Sequence, residues 1–189
     1  MTIEQLFTIL LSEQPSILIH AHEEDIFTLI PELRTCKGFE KNNPWHIYDV
    51  YEHILHVVDE VPNDLNIRLA ALFHDIGKSY VYTEDENGVG HFYDHWTTSK
   101  EIFMSFANQY QLNQNMITLV SNLIFYHDIN IDKLSDEQIR SLMSDIGIEH
   151  IPLLFNLKRA DLLAQSPQFH YLIENYDHQE KKVMTLYAK

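Results

Sequence analysis

The stretch from Leu65 to Gly77, LNIRLAALFHDIG, is a dense apolar run of helix formers that ends on an adjacent histidine and aspartate. A helix this apolar has to be buried, and Gly77 is placed to stop it as a left-handed residue just past its end. His74 and Asp75 then fall at the end of a buried helix. An imidazole and an ionised carboxylate following Ala71-Leu72-Phe73 would be costly to bury unpaired, by several kcal/mol. Successive residues on a helix point about 100° apart, close enough for both side chains to serve one ion.

The rest of the chain supplies further helices. Ile3, Leu6, Phe7, Leu10 and Leu11 form the stripe of an N-terminal helix, which Pro15 is expected to end. A second helical stretch runs from about Glu23 to Leu33, followed by a polar loop from Lys37 to Asn43 that Gly38 and Pro44 punctuate. Ile47, Val50, Tyr51, Ile54, Leu55 and Val58 repeat at helical spacing, which puts Asp49, His53, His56 and Glu60 on or beside the other face. The segment SYVYTEDENGVGHFYDH alternates around Asn87-Gly88 and predicts a small β-hairpin near residues 80–93. Helical patterns resume over residues 96–110, 114–127, 136–146, 151–164 and 169–187, with Ser135-Asp136-Glu137-Gln138 as an N-cap start. Only five glycines and six prolines interrupt 189 residues, and 45% of the chain is apolar, enough for one continuous core. The expected fold is an all-α bundle with the hairpin as an excursion. It should be a single domain over 1–189, its core motifs between residues 45 and 165, with the N-terminal helices of 1–40 and the C-terminal helix packed on them.

A formal charge of −15 repels phosphate backbones, which argues against a grip on duplex DNA and disfavours RNA. A small phosphorylated substrate needs only a local positive focus, which a bound divalent metal with one or two basic side chains would supply. One cysteine, Cys36, excludes an intramolecular disulfide and a thiolate zinc cluster. The N-terminus carries Glu4 early, lacks a basic segment and shows no small-residue cleavage site. No run approaches the length of a membrane span, so the expected location is the cytoplasm.

A metal at His74-Asp75 needs ligands from other helices. His53, on the polar face of the preceding helix, and Asp161, in LKRADLLAQ, are the best-placed candidates. Together they make a two-His, two-Asp shell with positions open for water and substrate. An isolated histidine on an amphipathic helix is more often a packing residue than a ligand, so the weight falls on the adjacent pair. Such ligands suit iron, manganese, cobalt, nickel, zinc or magnesium.

The successive segments DVYEHILHVVD, LAALFHDIGK, HFYDHWTTS, IFYHD and KRADLLAQ resemble the ordered motifs of the HD-domain metal-dependent phosphohydrolases. Within that superfamily the chain looks most like the HD region of bacterial tRNA nucleotidyltransferases of the CCA-adding type, through NPWHIYDVYEHIL, without their catalytic head domain. The resemblance implies an HD-domain helical bundle in which His53, His74, Asp75 and Asp161 hold a metal. It further implies His95 and His127 as ligands of a second ion, with Asp75 bridging. Read without the resemblance, His95 is equally a phosphate-contacting or second-layer residue, and His127-Asp128 a helix end in solvent.

The expected chemistry is hydrolysis of a small nucleotide or related phosphoester by water that the metal makes nucleophilic, with Asp75 and His74 at the reacting centre and Lys78 reaching a phosphate. Lys78 reads equally as a solvated cap. Cyclic 2′,3′-phosphates and 2′-nucleotides are the substrates that the tRNA-nucleotidyltransferase resemblance implies; deoxynucleoside triphosphates and dinucleoside polyphosphates are alternatives from other HD proteins. Trp45, Tyr48 and Phe92 are candidate stacking residues for a base, and His46, His56 and His91 candidate pocket residues. Arg159 and the tail from Tyr171 to His178 read as surface. The competing reading is a non-catalytic nucleotide- or partner-binding module with a structural metal.

Overall fold

The computed structural model describes residues 1–39, 45 and 47–188. The loop residues from 40 to 44, including Pro44, and the pocket candidate His46 lie outside the described residues. Before that gap come α1 (Ile3–Leu10), α2 (Pro15–Ala21), α3 (Glu23–Leu29) and α4 (Pro31–Cys36). The helix expected over 23–33 is two helices, because Pro31 is the first residue of α4. Pro15 likewise begins α2, and α1 has already stopped at Leu10. A proline lacks only an N–H that the first turn leaves unsatisfied anyway, so both prolines act as helix starts.

After the gap, Asp49 caps α5 (Val50–Glu60) by accepting the Glu52 N–H at 2.7 Å. Asp64 caps α6 (Leu65–Phe73) through the amides of Asn66 and Ile67. Every residue of α6 from Ile67 to Phe73 is buried, and the helix packs against α1, α5, α8, α9 and α11. The apolar run thus occupies the centre of the bundle. Its one basic residue, Arg68, is buried and donates to the carbonyls of Leu10 and Ser12, pinning the end of α1.

A short helix, α7 (Lys78–Val81), leads into the hairpin of β1 (Thr83–Glu84) and β2 (Gly90–His91), paired antiparallel with Thr83 opposite His91. Asp85 accepts the amides of Asn87 and Val89, and Gly88 takes the left-handed conformation at φ 74°. The remaining helices are α8 (His95–Gln109), α9 (Gln114–Tyr126), α10 (Asp136–Ile146), α11 (Ile151–Leu163) and α12 (Ile173–Tyr187). Ser135 and Gln138 close the capping box in front of α10 that the sequence predicts. The fold is an all-α bundle with a minimal sheet, and no described helix is long and apolar enough to cross a membrane.

Core and site share α6. Phe73, fully buried, sits against Phe103 and Phe106 at ring separations of 5.3 and 5.0 Å. Truncating it in Phe73→Ala should cost about 3–5 kcal/mol, read as a lower urea midpoint at unchanged slope.

Candidate metal centre

Two clusters of imidazoles and carboxylates meet at Asp75. On one side, His53 Nε2 lies 3.2 Å from Asp75 Oδ2 and 3.0 Å from Asp161 Oδ1, while His74 Nε2 lies 3.5 Å from Asp75 Oδ2. On the other, His95 and His127 place Nε2 atoms 3.2 and 3.7 Å from Asp75 Oδ1. Within each group the candidate ligand atoms all lie within 4.8 Å of one another. The fold brings these six residues from five places. His53 comes from the first turn of α5, His74-Asp75 from the end of α6, His95 from the start of α8, His127 from just past α9, and Asp161 from the last turns of α11.

The hydrogen bonds behind the rings decide what the site can hold. Each Nδ1 lies against a backbone carbonyl: His74 on Ala71 at 2.7 Å, His95 on Phe92 at 2.9 Å, His127 on Ile124 at 2.6 Å and His53 on Ala164 at 3.4 Å. A carbonyl only accepts, so each Nδ1 carries a proton, and each ring turns its Nε2 inward. Those Nε2 atoms meet in twos, His53 against His74 and His95 against His127, each 3.3 Å apart. Burial pushes the pKa of His74 and His95 down, so protonation is a costly remedy there. Burial pulls His127 down too, but the hydrogen bond and charge of Asp75 outweigh it and leave that ring above its ordinary value. Burial raises Asp161, and the His53 hydrogen bond and charge more than reverse that, holding its carboxyl well below the usual range. Paired imidazole nitrogens beside two buried carboxylates form two groups that could each hold a metal ion. Divalent ions fit both clusters, and the carbonyl-anchored rings are the arrangement in which metal-binding histidines are normally held.

The sequence profile of the HD domain matches residues 45–164, more than half of the chain, and that span contains every residue of both clusters. The chain belongs to the HD-domain family. No curated protein is similar enough to count as a match. HD domains are typically metal-dependent hydrolases.

The two clusters open into a cleft of about 490 Å³ between the hairpin, α8 and the C-terminal segment, which His95, His127 and Asp161 line. Lys78 lines it. Far from a solvated cap, this lysine is buried with Nζ 2.5 Å from Asp75 Oδ2. Trp45, Phe92 and His91 also face the cleft. His56 and Tyr48 do not line it; His56 is exposed and the two rings lie against each other at 4.2 Å. Arg159 pairs with Asp177 and Glu180 as a surface residue should. The tail is only partly surface, because Leu172 and Tyr176 turn into the cleft.

Two supporting residues were not anticipated. Gln165 donates to Asp161 Oδ1 at 3.1 Å, fixing that carboxylate. Lys158, one turn before Asp161, is buried and donates to the carbonyls of His127 at 2.5 Å and Ile129 at 2.9 Å, tying α11 to the end of α9. In LKRAD it reads as a solvated basic residue. Burial lowers its pKa from 10.5 to about 8, and a neutral amine still has the two N–H groups that the two carbonyls need. The unfolded chain then binds more protons than the folded one between those values. Stability of chelated wild type relative to Lys158→Met should therefore rise as pH climbs from about 8 to about 10.5, by an amount of order 3 kcal/mol. Urea unfolding of both proteins across that range checks it, and a flat difference would mean that the ammonium stays charged in the fold.

Proposed function

We propose that this HD-domain protein is a metal-dependent phosphohydrolase acting on a small nucleotide or related phosphoester, as a phosphomonoesterase or a cyclic phosphodiesterase. The observation that carries the reading is the single carboxylate, Asp75, presenting one oxygen to each of two histidine clusters. His53, His74, Asp75 and Asp161 would hold one divalent ion, and Asp75, His95 and His127 a second. Ions held there supply Lewis acidity that polarises a phosphoryl oxygen and acidifies water. Asp75, with one oxygen toward each ion, would orient the attacking water between them. Lys78, on the cleft side of Asp75, presents its ammonium to the phosphate as a point charge. The buried walls keep bulk water from competing for these charges. The likeness of NPWHIYDVYEHIL to the tRNA-nucleotidyltransferase HD region supports cyclic 2′,3′-phosphates and 2′-nucleotides as the first substrates to try.

Phosphate release from a panel of nucleotides, cyclic nucleotides and simple phosphoesters tests this, using metal-depleted protein reloaded with single divalent ions and assayed for metal content in parallel. Release should depend on the ion and follow its occupancy. Protein that demonstrably holds metal and releases phosphate from nothing in the panel would return the chain to the binding-module reading.

A further inference from the structure

The cleft beyond the metal clusters constrains both the remainder of the substrate and its number of phosphates. The chain has two tryptophans, and both Trp45 and Trp96 line this cleft, together with Phe92, Tyr93 and Tyr176. Aromatic rings gathered in a core are ordinary packing; these border an open cavity. Trp45 is held in place, stacked on Phe169 at 3.6 Å and 16° with its carbonyl accepting the Ser166 N–H. Trp96, in the first turn of α8, sits edge-on to His95 at 5.2 Å, so an aromatic wall adjoins the second cluster. Flat fixed rings beside a charged centre favour a planar group joined to a phosphate, and aromatic platforms accept any base because every base has a π-face.

Charge limits the phosphate. Among the described residues lining the cleft, Lys78 is the one permanent cation, and its ammonium already leans on Asp75. Asp128 lines the cleft as well. Lys78 and Asp128 therefore cancel, and the described lining holds no surplus of positive side-chain charge. Beyond one phosphate, each further one would add negative charge with no second cationic side chain among the described lining residues to meet it and Asp128 to oppose it.

We infer that the cleft takes a mononucleotide: a planar base against Trp45 and Trp96, a single phosphate, open or cyclic, at the metal side, and Asp128 acting against di- and triphosphates. The placing of the phosphate rests on the hydrolase reading; the base platform and the charge limit do not. Because both tryptophans border the cleft, their fluorescence reports occupancy directly. Protein supplied with a divalent ion is mixed rapidly with nucleoside monophosphates, the matching triphosphates or ribose 5-phosphate, and quenching is recorded before turnover. Trp45→Leu and Trp96→Leu assign the signal to a ring. Monophosphates should bind at least about tenfold more tightly than ribose 5-phosphate and roughly 100-fold more tightly than triphosphates, and Asp128→Asn should shrink the second ratio by about tenfold. Triphosphates binding as well as monophosphates, or ribose 5-phosphate binding as well as either, would overturn the inference, and that comparison needs no variant. An unchanged ratio in folded Asp128→Asn would overturn the role of that residue. Phosphate release from a simple ester, run alongside, separates the two readings: release without base-dependent quenching sinks the inference alone, and quenching without release from any ester sinks the hydrolase alone.

Discussion

Asp75→Ala should strip both clusters of metal in one step and lower metal-dependent phosphate release by at least about 10³-fold. Its two oxygens face different histidine pairs, Oδ2 toward His53 and His74 and Oδ1 toward His95 and His127, so no other single substitution removes a partner from each. His53→Ala and His95→Ala should each cost one ion and leave the other. The alanine also abandons the Lys78 ammonium in a buried site, which by itself destabilises by roughly 3–5 kcal/mol. Asp75→Ala combined with Lys78→Met removes the stranded ammonium and separates that stability loss from the loss of metal. Metal analysis of the purified variants beside the phosphate assay decides the matter: an Asp75→Ala protein with its full metal content and activity would end the shared-carboxylate reading.

Gly77→Ala is expected to damage the second cluster through packing alone. A Cβ at residue 77 would come within 2.7 Å of both the His95 carbonyl oxygen and the Ser99 amide nitrogen, both of which are backbone and cannot swing aside. Accommodating it means prising α8 away, at about 1–3 kcal/mol, and His95 is the first residue of that helix. The variant should unfold at lower urea and hold about one metal ion less, with the His53 side intact. The backbone at Gly77 is right-handed, φ −75°, so asparagine, which tolerates left-handed backbone, should rescue nothing. A rescue by asparagine would show that conformation, not proximity, demands glycine here.

The reason for that glycine is one thing the sequence concealed. A glycine after an apolar helix looks like a left-handed stop, and only the neighbouring helix reveals that the missing side chain makes room for α8. Helix identity was legible where apolar spacing was regular, as in α5, α9 and α10, and ambiguous at Pro15 and Pro31, since a proline closes one helix and opens the next with equal ease. His53, His74, Asp75 and Asp161 could be nominated from an apolar helix that had to satisfy a buried acid and an imidazole. His95 and His127 could not, because each sits at a helix end where periodicity is silent, and they came through the family resemblance. Lys158 was hidden for the opposite reason: its partners are backbone carbonyls, which leave no trace in residue type.

Three of the four inward-facing histidines take their aim from a carbonyl three residues earlier in the chain, Ala71, Phe92 and Ile124. Their orientation is a property of the local segment and exists as soon as that helix end forms. His53 alone is aimed by a distant partner, the Ala164 carbonyl at the end of α11, the same helix that delivers Asp161. The two ion sites therefore differ in when they mature. The His95–His127 side is complete once α6, α8 and α9 meet, whereas the His53–His74 side needs α11 docked as well, so its occupancy reports that docking.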